Sequence, residues 1–159
     1  MAAHKRHFKW CLQEQTRLQQ VTPDRTLAQQ HLTKARHNNQ VMHALLQEEI
    51  LDWAFTTGFY AVYHCFLSLL ALHGYRSRNQ SCTVTALREL IHEQEIALLP
   101  TDIDAFDALQ TDLDVATIRQ TREQATYGIH TTVGEDEITR VQELYIITRQ
   151  EALRQLRNA

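Results

Sequence analysis

Two arginines, an asparagine and a glutamine crowd the turn Arg76-Ser77-Arg78-Asn79-Gln80-Ser81, directly after a long apolar stretch. A short polar turn that opens onto a helix N-terminus offers free backbone N–H groups, and two guanidinium forks beside them suit phosphate or carboxylate. The bland alternative is a solvated loop. Upstream, Tyr60, Tyr63 and His64 share one polar-aromatic strip of the preceding helix. A histidine there is either a hydrogen-bonded core residue or a proton carrier for an anion held at the turn. Arg76, Arg78, Asn79, Gln80, Tyr60 and Tyr63 are the candidate binding residues, and Arg78, Asn79 and His64 the candidate catalytic ones.

Other clusters carry weaker chemistry. Glu89-Leu90-Ile91-His92 is one E-x-x-H pair, the unit that helical di-iron proteins use twice, so a solvated helix face is the stronger reading and a metal-dependent helical enzyme the alternative. His4, His7 and Cys11 fall on one helical face and could hold zinc, yet their place near a chain end favours an incidental cluster. We expect neither metal nor cofactor. No serine sits in a glycine elbow and no glycine-rich loop could cradle phosphates, so hydrolase triads and P-loops are unsupported. Cys11, Cys65 and Cys82 are widely separated and form no C-x-x-C pair, which points to a reducing cytoplasm.

At 159 residues, 43% hydrophobic and net charge -3, the chain fits one domain and is not coated for non-specific nucleic-acid binding. Thirteen arginines against three lysines leave room for a local basic patch or for ion pairs along helices. Four glycines and two prolines divide stretches rich in Ala, Leu, Gln, Glu and Arg, so the fold class is all-α. Helices are expected over about Lys5–Gln20, from a Thr22 cap with Pro23 at the first helical position to about Ile50, Trp53–His73 capped by Asp52, from Ser81 or Thr83 to near Pro100, Asp102–Tyr127 with a break near Asp114, and after a capping box at Thr132 to the C-terminus. The third is long enough to span a bilayer, but its Thr, Tyr, His and Ser residues favour a buried core helix and no membrane. Its small residues Ala54, Gly58, Ala61 and Cys65 follow a helical rhythm and should admit a close neighbour, from this chain or from a second subunit.

The order and spacing of several motifs resemble the HEPN domain family. Phe59-Tyr60-Ala61-Val62-Tyr63-His64 is similar to its aromatic helix, Leu69-Leu70-Ala71-Leu72-His73-Gly74-Tyr75 to the ending of that helix, Ser77-Arg78-Asn79-Gln80 to its polar turn, and Thr121-Arg122-Glu123-Gln124-Ala125-Thr126-Tyr127-Gly128 to its Ala-Arg-x-x-Ala-Asp-Tyr-Gly segment. The resemblance covers about residues 51–156 and leaves the first fifty unexplained. It implies an up-and-down bundle of about five to six helices that pairs as a homodimer in the cytoplasm, often beside a minimal nucleotidyltransferase in a toxin and antitoxin pair. It also adds Arg122 and Tyr127 to the candidate binding residues.

Active members of the family are metal-independent ribonucleases that use an Arg and a His with four to six residues between them. Here the turn's histidine is replaced by Gln80, and Thr83 stands where the spacing from Arg78 would require histidine. Glutamine can hydrogen-bond but cannot carry a proton near neutral pH. Arg25 to His31 and Arg36 to His43 match the bare spacing, as two chance pairs should in so arginine- and histidine-rich a chain, and both lie outside the resemblance. The expectation is a homodimer that binds RNA, a nucleotide or a nucleotidyltransferase partner through a degenerate ribonuclease site. An active ribonuclease toxin is the alternative.

Overall fold

The structure is a computed structural model and describes residues 3–126 and 133–159, with side chains placed outside 115–132. Six helices and one small ribbon follow in the order α1 (Ala3–Leu12), β1 (Leu18–Gln20), α2 (Arg25–Gln47), α3 (Leu51–Leu72), β2 (Tyr75–Ser77), α4 (Gln80–His92), α5 (Pro100–Thr126) and α6 (Glu135–Asn158). The all-α helical bundle expected from the sequence is the architecture found.

α3 is the centre of the bundle because it is apolar on most of its circumference. Phe55, Phe59, Val62, Phe66, Leu69 and Leu70 have no solvent exposure, and α2 and α6 pack along the helix. This packing accounts for a helix long and apolar enough to cross a membrane. The small-residue ridge is filled from within the same chain: a Cβ on Gly58 would lie 2.5 Å from Met42 Sδ of α2 and 2.7 Å from Val141 Cγ1 of α6. The ridge therefore gives no reason to invoke a second subunit.

Several boundaries differ from expectation, each for a local reason. The first helix stops at Leu12, because residues 18–20 leave helical geometry to pair with β2, antiparallel, with Leu18 opposite Ser77, Gln19 opposite Arg76 and Gln20 opposite Tyr75. Asp24 caps α2 by accepting from Leu27 N at 2.9 Å. Ile50, not Asp52, precedes α3, and Asp52 lies in the first turn, where a carboxylate meets the positive end of the helix dipole. α4 begins earlier than expected because Asn79 is its cap, and it ends at His92, where Gln94 takes a left-handed conformation (φ 60°). α5 runs unbroken past Asp114, and α6 is capped at Gly134, whose N–H donates to Glu137 at 3.1 Å. The expected cap Thr132 and the closing Gly128 lie outside the described residues.

Cys11 and Cys82, 71 positions apart, form a disulfide that ties α1 to the first turn of α4. Nothing in their spacing announced the pair. Cys65 remains a free, fully buried thiol, and burial pushes it up to about 12 despite a hydrogen bond from Thr148.

Candidate functional site

The arginine turn is built by three converging constraints. Gly74 ends α3 with φ 80°, where a Cβ would strike Val21 O at 2.6 Å, so the chain reverses there only without a side chain. The β1–β2 ribbon then straightens residues 75–77, and Arg78 N donates to Arg17 O at 3.0 Å. Asn79 closes the turn by accepting from Cys82 N at 3.0 Å, the bond that starts α4. Ribbon and cap leave Arg76 and Arg78 on the surface, and among the described residues neither has a carboxylate partner.

Below the turn lies a chain of hydroxyls. Thr83 Oγ1 donates to Ser77 Oγ at 2.7 Å, and Ser77 Oγ donates to Asn79 O at 2.9 Å. With the threonine proton committed, Tyr63 OH is the donor in its 3.1 Å bond to Thr83 Oγ1. Burial holds the Tyr63 phenol above its ordinary range, although the bond to Thr83 works against the rise. Thr83 is wholly buried, so the position where the ribonuclease spacing would call for histidine points into the protein rather than toward a bound anion. Gln80 turns the other way: its amide donates to Gln110, which in turn donates to Asp114 at 2.8 Å, at the rim of an open cavity of about 300 Å³ between α4 and α5.

The residue that sequence reasoning discarded is His31. It lies on α2, and its Nδ1 is 3.1 Å from Nδ1 of His64 on α3. At that distance one ring carries the proton and the other accepts it, so the two imidazoles hold complementary tautomers. Burial, then the neighbouring His64, then the Arg76 charge push His31 down to about 4. Burial, followed by the charge of Lys34, lowers His64 as well. The pair is therefore neutral at physiological pH, with the positive charge of Arg76 close enough to be felt. A signal existed: Ala28, His31, Ala35, Asn38 and Met42 follow a three-four spacing that puts His31 on the face of α2 turned to α3.

The remaining candidates fall as follows. Tyr60 is 41% exposed beside the strip, its ring edge-on to those of Phe59 and Tyr63. Tyr63 stacks at 6.4 Å on Phe106. Arg122 is in α5 with its side chain outside the described set, and Tyr127 lies outside the described residues altogether. Glu89 is 3.3 Å from His4 Nε2, and the His4 and His92 rings are 5.8 Å apart, with no second E-x-x-H beside them among the described residues. No protein-family model and no curated protein sequence matches the chain.

Proposed function

We propose that the chain is a HEPN-like, homodimeric cytoplasmic protein that binds RNA or a nucleotide at the arginine turn, in a toxin and antitoxin or defence setting where a nucleotidyltransferase is a further candidate partner. The observation that carries this reading is the pairing of two surface arginines without carboxylate partners, Arg76 and Arg78, with the neutral His31–His64 pair next to them. Tyr60 supplies a ring face at the edge of the same surface, suited to stacking on a base. Exposed Trp53 and Tyr60 on α3 add apolar area of the kind a dimer contact would use.

The alternative, metal-independent cleavage, is favoured by one specific feature: an arginine charge acting on a histidine pair is the chemistry the reaction needs. The same feature weighs against it, because a base held near pH 4 accepts protons poorly at neutral pH. The experiment is RNA binding by purified protein across a salt series. Binding should weaken steeply with salt and should drop further in Arg76→Ala and Arg78→Ala. Salt-insensitive binding equal in these variants and wild type overturns the reading, and metal-free cleavage abolished by His64→Gln moves the protein to the alternative.

A further inference from the structure

A second group of reactive side chains lies on the opposite flank of the α4 N-terminus, away from the arginine turn's histidines. His7 and Cys11 are one helical turn apart on α1, and Cys82 faces them from α4. One ligand atom from each, the His7 ring nitrogen and the two sulfurs, falls within 4.8 Å of the others. We propose that these three residues form a zinc site in the reduced protein, and that the Cys11–Cys82 disulfide is the metal-free, oxidised state of the same site.

Three independent features support it. His7 Nδ1 is 2.7 Å from Thr85 Oγ1, so that nitrogen is occupied and Nε2 is the atom turned toward the sulfurs, 3.9 Å from Cys11 Sγ. A ligating histidine is ordinarily oriented in this way, by a hydrogen bond at its other nitrogen. Both sulfurs are shielded completely from solvent, and Cys82 lies in the first turn of α4, where the helix dipole favours an anionic ligand. Ser81 Oγ, 3.4 Å from His7 Nε2, marks the side on which a water or hydroxyl would complete a tetrahedron.

Two thiolates and an imidazole select zinc over calcium or magnesium, and with one position left to a small oxygen ligand they match an open rather than a closed zinc site. Zn–S bonds of about 2.3 Å in a tetrahedral site require the sulfurs to move apart to roughly 3.7 Å once the S–S bond is opened. The conversion balances as follows. Two equivalents of a small thiol reduce the disulfide to two cysteine thiols and leave as their own disulfide; zinc then enters as the two thiols release two protons. Oxidation by a disulfide or a peroxide takes two electrons from the sulfurs, closes the S–S bond and expels the ion.

The test uses the full chain without a histidine tag, either reduced under anaerobic conditions or oxidised, with zinc measured by competition against a chromophoric chelator. The reduced protein should take up one zinc per chain and the oxidised protein none. Cobalt in place of zinc should give the charge-transfer absorption of thiolate ligation. His7→Gln, which leaves both cysteines and the disulfide in place, should weaken zinc binding by at least about tenfold, whereas Cys65→Ala should leave it unchanged. Cys11→Ser should abolish it, with circular dichroism to check the fold. Equal zinc uptake by oxidised and reduced protein, no uptake by the reduced form, or full affinity in His7→Gln overturns the proposal.

Discussion

The two faces of α3 are held by different physics. On one, Gly58 admits Met42 and Val141 to near contact, and Ala54, Ala61, Phe59 and Phe66 complete a surface without polar atoms. On the other, Tyr63, His64 and Ser68 each find a hydrogen-bond partner outside α3: Thr83 of α4, and His31 and the Ala28 carbonyl of α2, the last at 2.9 Å. The first face is sensitive to volume and indifferent to pH. The second tolerates small changes of shape but depends on which atoms carry protons, and it is the face that borders the arginine turn.

Breaking the packed face should cost most. Gly58→Val forces Met42 and Val141 apart and should destabilise the fold by about 3 kcal/mol in a denaturant titration, by the same amount at pH 5 and pH 7.5. An effect that grew with acid would contradict the division. Next comes the hydroxyl chain. Thr83→Val keeps the volume but strands Tyr63 OH and removes one of the bonds to Ser77 Oγ, a loss of about 1–3 kcal/mol. Adding Tyr63→Phe should cost less than the sum of the two single changes, and full additivity would show that the bond between them does not matter.

Of the two faces, only the second should respond to acid. His31 and His64 are held below their ordinary value in the folded chain, so the unfolded chain binds more protons between about pH 6.5 and pH 4. Their contribution is complete above about pH 6.5 and is lost as the pH falls toward 4. After allowance for solvent screening the loss should be about 1–2 kcal/mol. Replacing both residues by glutamine should flatten that part of the stability profile; an unchanged slope would assign the acid sensitivity to carboxylates such as Glu151. That carboxylate is buried, which opposes ionisation, but bonds from Arg154, Ala97 N and Gln155 outweigh burial and hold it low, so its contribution is also lost toward acid. Smallest of all, Arg76→Ala should leave stability at neutral pH within about 0.5 kcal/mol of wild type, since among the described residues no carboxylate partner is lost. Apart from removing one of the charges that hold His31 low, its effect should appear in ligand binding.

The packed face was legible in the sequence, because a 3.6-residue rhythm of phenylalanines, leucines and small residues leaves few other folds open to α3. The strip's need for partners was legible too. Who those partners are was not: His31 is 33 positions from His64, and Cys11 is 71 from Cys82, so only the tertiary path brings them together. Propensity misled at residues 13–20, where glutamine and arginine favour a helix in isolation but pairing with residues 75–77 wins. Asn79 read as a binding residue when its side-chain oxygen is committed to starting α4.

The β1–β2 ribbon also divides the chain's labour in a way its length conceals. The segment that follows α3 supplies Arg76 and Arg78, but the strand that moulds their backbone comes from the first twenty residues. A copy lacking residues 1–20 would keep the letters of the turn and lose its template. Whatever ligand the arginines select, the geometry of that selection is set in part by residues 17–20, at the far end of the sequence from α6.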